Sequence, residues 1–466
     1  MTTHHRQSMR AFLAVAEEAG ELTRIAERVD PVHEIAAWLS LLEGRGPVMF
    51  ENVAGHAMAV TGNHLTTRAQ AARALGVETD RLQARLVDAV RSPLAPRIVA
   101  GDAACQELVV PDPDLAALPV PTFFEHETGP YITAGAIVAK DTVSGRGNLS
   151  IARLKPLGGN RAFIGIAPNH HLAVLARAAQ ARGERLEIAV TLGNHPAVML
   201  AACFYLGLGD DELEVAGALF GEPLEVVPGQ GADLNVPAHC EIVLEGVLNP
   251  GETVEEGPVS EFHGMYERYG AGYVVTFSHM TRRADAVFQC VLPGYAGEHI
   301  LLGAEAIAAG LRRSLHRALP SVREVAVTAG GAGRLHAVVR LEGAREGASR
   351  RAMFAVWAAV SLVKQVTVVD GDVDPWDPVA VEHAVATRMR PERDLIVVPG
   401  VQADRAEPLE KDGVVGKLGI DATTTAADRS DWTPARPPDA VLAKVRERIA
   451  RQPGGSSPAP PRKPST

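Results

Sequence analysis

Two glutamates in the segment EEGPVSE have the side-chain type that proton transfer needs. Glu256 and Glu261 are five residues apart, a spacing that separates them on an ideal helix and places them on opposite faces of a strand. They converge only if the chain bends between them, and Gly257 and Pro258 favour such a bend. Taken alone, the pattern fits a solvated acidic loop better than a catalytic pair.

An arginine ends the apolar segment NLSIAR. A buried Arg153 would need an anionic partner, and Glu256 is a suitable one. A bidentate pair would keep the acid ionised and fix the plane of the guanidinium. An arginine that points outward from a strand explains the local pattern equally well.

A third set of residues offers nitrogen and oxygen ligands for a metal ion. His170, followed by His171, stands where a helix begins after APN, and free N–H groups at a helix N-terminus attract phosphate. Together with Asn148 and with Glu222, which follows a helix end, it would suit manganese or magnesium bridging to a phosphate. A capping asparagine, a surface histidine and a surface glutamate are the alternatives.

The elements that would position these residues fall into three regions. Residues 1–110 predict a small α/β region, with helix over 8–44. Residues 111–297 predict an antiparallel meander or barrel, and 298–440 a second α/β domain. The glycine-rich TAGGAGRL fits a hairpin turn better than a phosphate loop, because no helix follows it. The composition of residues 451–466 predicts a disordered tail.

Composition and charge exclude several classes of protein. A chain of 466 residues predicts two or three domains. A net charge of −10 argues against nucleic-acid binding and means that an anionic substrate must be attracted by local cations. No apolar run is long enough to predict a membrane-spanning helix. The widely spaced Cys105, Cys203, Cys240 and Cys290 fit neither a zinc site nor a disulfide framework, which favours a reduced, cytoplasmic protein.

Taken together, the segments resemble the UbiD family of reversible decarboxylases, which use prenylated flavin mononucleotide (prFMN). The resemblance covers nearly the whole chain, in order, and it outweighs the local alternatives. The segments that carry it are NLSIARL, PNH, GALFGEPLEVV, VPAHCEIVLEG, EEGPVSEFHGMY, VVDGDVDPWDPVAVEHAVATRMRP and GKLGIDAT.

The resemblance implies a role for each matching residue. Arg153, Glu256 and Glu261 match the family's catalytic set, while Asn148, His170 and Glu222 match its ligands for a divalent ion, Mn²⁺ or Mg²⁺, that holds the cofactor phosphate. A bound K⁺ ion is a further feature that the family suggests. The remaining expected cofactor contacts are Thr133, Ser150, Ile151, Ala152 and Arg388. Where some relatives have Ser-Ser-Met-Pro beside the cofactor, this chain has AACF at 201–204.

The resemblance also implies a fold and a reaction. The expected fold is mixed α/β, with an N-terminal α/β region, a split β-barrel flavin domain and a C-terminal α/β oligomerisation domain. The expected reaction is non-oxidative decarboxylation of an aromatic, heteroaromatic or α,β-unsaturated acid through a covalent adduct with prFMN. Glu261 would return the proton, so its pKa is expected to be raised by an apolar site.

The implied partners are the acid, CO₂, a flavin prenyltransferase that supplies the cofactor, and further copies of this chain in a homodimer or homohexamer. Two other classes remain open at this stage. One is a metal-dependent hydrolase that uses Asn148, His170 and Glu222 with a free water. The other is a flavin-binding paralogue without catalytic activity.

Overall fold

The computed structural model describes residues 5–101, 103–424, 435 and 437–451. The predicted tail at 451–466 lies outside these residues, except for Arg451. The chain divides into two compact units: the first is Met1–Arg313 with Ala329–Arg334, and the second is Ser314–Thr328 with Leu335–Thr466. No helix among the described residues has the length and apolar character that crossing a membrane requires. The predicted domain limits at residues 110 and 297 stay predictions.

A small sheet lies in the N-terminal part of the first unit. Its strand order is β1-β2-β3-β17, so a strand from far along the chain completes it. The strands are β1 (Thr23–Val29), β2 (Val48–Val53), β3 (Val60–Gly62) and β17 (Phe288–Gln289), and the helices are α1 (Met9–Glu18), α2 (Glu34–Leu41), α3 (Arg68–Ala74) and α4 (Leu82–Arg91). The prediction of helix over 8–44, with a turn at RVDP, is wrong for Thr23–Val29, which form β1.

A larger sheet forms the centre of the first unit. Its order is β7-β6-β10-β13-β16-β9-β8, with β5 also paired to β16, and its neighbouring strands are antiparallel. The strands are β5 (Leu108–Pro111), β6 (Ala136–Lys140), β7 (Gly147–Ile151), β8 (Arg153–Gly158), β9 (Arg161–Gly165), β10 (Leu186–Leu192), β13 (Ile242–Glu255) and β16 (Ala271–Arg282).

The two ends of this sheet meet at one residue. β7 and β8 stand at opposite ends of the strand order, yet only Ala152 separates them in the chain. Two residues of extended chain span about 7 Å, so the sheet must curl until its edges meet. Among the described residues β7 and β8 are not hydrogen-bonded to each other as strands, which leaves the barrel open at a seam.

Three helices and two small sheets complete the first unit. The helices are α5 (His171–Ala181), α6 (Pro196–Ala201) and α7 (Glu212–Phe220); the strands are β4 (Arg97–Ile98), β11 (Glu225–Pro228), β12 (Asn235–Pro237), β14 (Val259–Ser260) and β15 (Tyr266–Glu267). The Asp211 side chain caps α7 by accepting from the Leu213 amide at 2.9 Å, and Gly221, at φ +77°, ends the helix. α5 and α7 both pack against β7.

The second unit contains a mixed sheet. Its strand order is β18-β19-β20-β22-β21, with parallel pairs in the middle and an antiparallel pair at each side. Its elements are β18 (Val322–Val327), β19 (His336–Leu341), β20 (Gln365–Asp370), β21 (Leu395–Gln402), β22 (Val414–Ala422), α9 (Ala348–Ala359), α10 (Pro378–Arg388), α11 (Pro391–Asp394) and α12 (Asp439–Ala450), and α8 (Gly297–Ala318) leads into it.

The glycine-rich segment forms the predicted turn between β18 and β19. The predicted mixed α/β fold class is confirmed.

Candidate active site

Arg153 and Glu256 form the predicted ion pair. Arg153 begins β8 and Glu256 directly follows β13. The Arg153 Nε donates to Glu256 Oε1, and its Nη2 donates to Oε2 at 2.7 Å, which is a bidentate arrangement. Glu256 is 1% exposed and Arg153 is 22% exposed, so only the arginine retains access to a ligand. Gly165, paired opposite on β9, leaves the required space, because a Cβ there would lie 2.9 Å from Arg153 Cζ.

The chain bends after Glu256 as the sequence predicted. Gly257 has φ +87°, a conformation that favours glycine. The Thr128 hydroxyl donates to the Glu256 carbonyl at 2.9 Å, and the Glu261 amide donates to the Met265 carbonyl at 3.0 Å. This turn brings the partly buried Glu261 into the electrostatic field of Arg153.

Tyr269 contacts both Glu261 and Arg153 and was not among the residues predicted. Its hydroxyl donates to Glu261 Oε2 at 2.7 Å. The Arg153 guanidinium lies over its ring, with 5.3 Å between Cζ and the ring centroid, a distance that permits a cation–π contact. The tyrosine-rich segment after Glu261 was a signal in the sequence, but it did not identify which tyrosine contacts the acid.

The pKa of Glu261 differs in direction from the expectation. Burial raises this pKa, but the positive charge of Arg153 and the hydrogen bond from Tyr269 outweigh burial, so the pKa is lowered. The expectation of a raised pKa was therefore wrong for the protein without substrate. Sequence alone did not reveal that the cation paired with Glu256 also acts on Glu261.

Asn148 and His170 leave buried polar atoms without partners. Asn148 Oδ1 and His170 Nδ1 have no hydrogen-bond partner among the residues that the structure describes. Asn148 Nδ2 donates to Glu212 Oε2 at 3.2 Å, and the Leu149 amide donates to the same oxygen at 2.8 Å. Burial lowers the pKa of His170 to about 4 and raises the pKa of Glu212 to about 7.

Glu222, the predicted third ligand, lies elsewhere. Its carboxylate accepts from Gln7 Nε2 at 3.2 Å and pairs with Arg6 Nε at 3.0 Å. Glu222 follows the C-terminal end of α7, whereas Glu212 begins that helix; at 1.5 Å rise per residue the two positions are about 15 Å apart along its axis. The predicted ligand set is corrected: Glu212, not Glu222, accompanies Asn148.

The corrected set fits a divalent cation. A carboxylate, an amide oxygen and a neutral imidazole nitrogen are donors that Mn²⁺ and Mg²⁺ accept. A buried polar atom without a partner is costly, and coordination to a cation would satisfy such an atom. The Ser150 hydroxyl is likewise buried without a partner, and it lies on β7 with Ile151, one residue before Ala152 at the seam.

The other two predicted cofactor contacts, Thr133 and Arg388, each have a partner within the protein. The Thr133 hydroxyl oxygen accepts from the Val291 amide at 3.1 Å, and its cofactor role stays a prediction. Arg388 belongs to the second unit and is buried there, where its guanidinium pairs with Asp370 at 3.1 Å and Asp372 at 2.6 Å. Its role as a cofactor contact likewise stays a prediction.

Sequence models of one family match nearly the whole chain. They are described as the 3-octaprenyl-4-hydroxybenzoate carboxy-lyase N-terminal domain over residues 13–90, its Rift-related domain over 97–296 and its C-terminal domain over 300–422. A curated relative, anhydromevalonate phosphate decarboxylase of Methanosarcina mazei, is 32% identical over 431 residues, which is 92% of this chain and 99% of the relative.

Solved structures of the same class superpose closely. The UbiD-class enzyme HmfF from Pelotomaculum thermopropionicum in complex with FMN has a TM-score of 0.90 at 38% identity, over 94% of this chain and 99% of that one. An evolved dimeric form of HmfF in complex with prFMN has a TM-score of 0.87 at 37% identity, over 94% and 100%.

The apo 3,4-dihydroxybenzoic acid decarboxylase of Klebsiella pneumoniae has a TM-score of 0.87 at 27% identity, over 95% of this chain and 99% of that one. The chain therefore belongs to the UbiD family and is a decarboxylase.

Proposed function

We propose that this enzyme is a non-oxidative, reversible decarboxylase of an aromatic, heteroaromatic or α,β-unsaturated carboxylic acid, with prFMN as its cofactor. One observation carries the proposal. Arg153 at the barrel seam is ion-paired with Glu256, and its positive charge also lowers the pKa of a second glutamate, Glu261. The residues with unsatisfied metal-ligand atoms lie on the adjoining strand and its packed helices.

The cofactor and its metal would use the donors at β7. Asn148, His170 and Glu212 would hold Mn²⁺ or Mg²⁺ against the cofactor phosphate, and the main chain of residues 150–152 would line the flavin. When bound, prFMN supplies an electron sink for the pair left by departing CO₂, a role that no side chain can fill.

Arg153 would orient the substrate carboxylate. Its Nε and Nη2 are engaged by Glu256, which leaves Nη1 for a ligand. Because Glu256 is almost fully buried and bidentate, it would hold the guanidinium plane in place as the substrate enters. Glu256 would therefore act as the ionised positioning acid of the pair.

Glu261 would hold and deliver the proton. In the protein without substrate its carboxylate is favoured by Arg153 and Tyr269. A substrate anion beside Arg153 would offset that positive charge and raise the pKa of Glu261, which then takes up a proton. After CO₂ leaves, the neutral acid would donate this proton to the carbon that carried the carboxylate.

The comparisons support this substrate class without naming the acid. One relative acts on a phosphorylated acid and one neighbour on an aromatic acid.

We further propose a flavin prenyltransferase as cofactor supplier, a homodimer or homohexamer, and a cytoplasmic location. A bound K⁺ ion is the remaining cofactor proposal.

The test is Glu261→Gln in enzyme produced together with a flavin prenyltransferase. A panel of acids is assayed for CO₂ release and for hydrogen–deuterium exchange at the released carbon. Loss of the proton donor should lower both rates by about 10²–10⁴-fold while flavin content and folding persist. Glu267→Gln, on the same segment, is the matched control and should retain both rates.

Wild-type rates in folded, flavin-loaded Glu261→Gln would refute the proton-donor role. A flavin-loaded wild-type enzyme that is inert toward the whole panel would indicate a non-catalytic paralogue. Hydrolysis by flavin-free, metal-loaded protein would indicate a hydrolase. Each of these outcomes would overturn the proposal at a different step.

A further inference from the structure

Arg334 is a partly buried cation that lacks a carboxylate partner among the described residues. It ends the turn segment Ala329–Arg334, which belongs to the first unit. Its nearest polar contacts are long hydrogen bonds, from Nη1 to the Gly333 carbonyl at 3.3 Å and from Nη2 to the His299 carbonyl at 3.4 Å. Neither contact neutralises the charge.

The protein makes specific room for this guanidinium. It lies directly on Gly303 of α8, where a Cβ would be 1.8 Å from Nη1 and 2.1 Å from Cζ. On another side it lies over the Phe262 ring, with 5.3 Å between Cζ and the ring centroid. A glycine inside a long helix costs stability relative to alanine, so the arrangement holds Arg334 in place at a cost.

Arg334 lies close to the residue that follows the proposed proton donor in the chain. Phe262, which Arg334 covers, is the immediate neighbour of Glu261, and His299 is within electrostatic range of both Arg334 and Glu261. Arg334 is also within electrostatic range of Cys203. Cys203 belongs to the AACF segment, where the sequence differs from that of some relatives. One cation, Arg153, therefore acts on the proposed proton donor, and a second, Arg334, lies beside the next residue in the chain.

We propose that Arg334 binds a second anionic group of the substrate, a phosphate or a second carboxylate, distinct from the carboxylate that leaves beside Arg153. A planar guanidinium that lacks an anionic partner is suited to bidentate recognition of such an oxyanion. Since the chain has a net charge of −10, a dianionic substrate requires this kind of local cation. The inference rests on the proposed function and specifies its substrate as an acid with two anionic groups.

Anion binding can be measured without turnover. FMN-loaded protein, whose cofactor site is already filled, is titrated calorimetrically with inorganic phosphate and, separately, with acetate. Wild type should bind at least one of them, and Arg334→Gln should weaken that binding by about tenfold or more. Arg185→Gln, an exposed arginine before β10, is the control and should bind as wild type does.

The two titrations distinguish the chemical sources. Tighter binding of phosphate indicates a phosphorylated acid, and tighter binding of acetate indicates a dicarboxylic acid. Absence of binding to wild type, or equal binding to wild type and Arg334→Gln, would overturn the inference.

Gly303→Ala provides a second test that keeps the arginine. The added methyl group must displace the guanidinium, while alanine favours the helix. The variant should fold, retain FMN and lose anion binding as Arg334→Gln does. Unchanged anion binding in folded Gly303→Ala would contradict the inference. If the protein binds no flavin at all, the proposed function fails first; if it binds flavin but its anion binding ignores Arg334, only this inference fails.

Discussion

Glu256 and Glu261 have different partners although one short turn connects them. Glu256 accepts two hydrogen bonds from Arg153, so its carboxyl group is held in place. Glu261 accepts from the Tyr269 hydroxyl and the Phe262 amide, and it lies within the field of Arg153 without a bidentate pair. The first arrangement suits a fixed charge, and the second suits an acid whose proton affinity changes when a substrate anion arrives.

Tyr269→Phe should shift the high-pH limb of the kcat profile that Glu261 controls. The change removes a hydrogen bond to the carboxylate and keeps the ring under Arg153, so the pKa of Glu261 should rise in the variant. If the proton is delivered by Glu261, the decline of kcat at high pH should begin at a higher pH than in wild type. The measurement is the pH profile of kcat, with Tyr273→Phe on β16 as the control.

Stability should follow the same group with a defined sign. The folded-state pKa of Glu261 is lowered, so its stabilising contribution is complete above the ordinary glutamate pKa and disappears as the pH falls through the folded value. In Tyr269→Phe this acid-dependent contribution should be smaller. Urea unfolding from neutral to acidic pH tests this, and an unchanged pH dependence in both kcat and stability would show that the Tyr269 hydrogen bond has no effect on Glu261.

Sequence could predict Arg153, Glu256 and Glu261 because each stands in a motif and glycine marks the bend between the acids. It could not predict Tyr269 or Glu212. Tyr269 acts through a ring contact and a hydroxyl contact that arise only after β16 pairs with its neighbours. Glu212 was missed because a helix carries acids at both ends and the pattern alone does not indicate which end faces β7.

At the scale of elements, α7 separates two carboxylates that have different partners. Its N-terminal end meets β7, where Glu212 joins Asn148. Its C-terminal end meets the N-terminal segment, where Glu222 joins Arg6 and Gln7. Across the seam between β7 and β8, the proposed metal ligand Asn148 and Arg153 are five residues apart on what is locally one extended chain.

Glu212→Gln and Glu222→Gln should therefore differ in metal content. Removing an outer-shell partner of a metal ligand weakens binding by about 10–100-fold, so loss of a direct ligand should cost at least as much. We expect Glu212→Gln to lose Mn²⁺ and with it most of the flavin. Glu222→Gln should retain both, because it only breaks a half-exposed ion pair.

Elemental analysis and flavin absorbance of the purified proteins measure this difference. Thermal unfolding controls for misfolding of either variant. Metal loss in Glu222→Gln with retention in Glu212→Gln would reverse the assignment and restore the ligand set expected from the sequence.

The strand missed at β1 shows why some elements escape prediction. Its seven residues alternate poorly, since only two of them, Ile25 and Val29, are buried. A strand is recognised in sequence by a period of two, and β1 lacks it because one face packs sparsely. Its pairing with β2 is what defines it, and pairing is a tertiary property.

At the scale of the whole molecule, the pattern of predicted helices and strands changes along the sequence, and this change indicated the order of α/β, β-rich and α/β regions. The grouping into units was not visible. β17, only two residues long, completes the N-terminal sheet from a position near residue 288, so the N-terminal region and the barrel belong to one unit. So short a strand has no periodicity to detect, and its partner is more than two hundred residues away.

Arg388 lies in one of the segments that resemble the family, and its ion pairs contribute to the structure of the second unit. Its guanidinium connects the end of α10 to Asp370 and Asp372, and Asp370 also accepts from the Thr424 amide and hydroxyl at 2.7 Å each. Removing the arginine leaves two carboxylates without their cation in a buried place. Breaking such a pair from one side costs roughly 3 kcal/mol or more.

Arg388→Gln should therefore destabilise the second unit and leave the cofactor in place. We expect the free energy of unfolding to fall by roughly 3 kcal/mol and the flavin content of the folded protein to remain that of wild type. Arg323→Gln breaks an exposed pair with Glu342 in the same unit and should cost about 1 kcal/mol or less. Denaturant unfolding and flavin absorbance give the two readouts. Flavin loss from Arg388→Gln with unchanged stability would mean that this arginine serves the cofactor after all, because a purely structural ion pair cannot lower flavin binding without lowering stability.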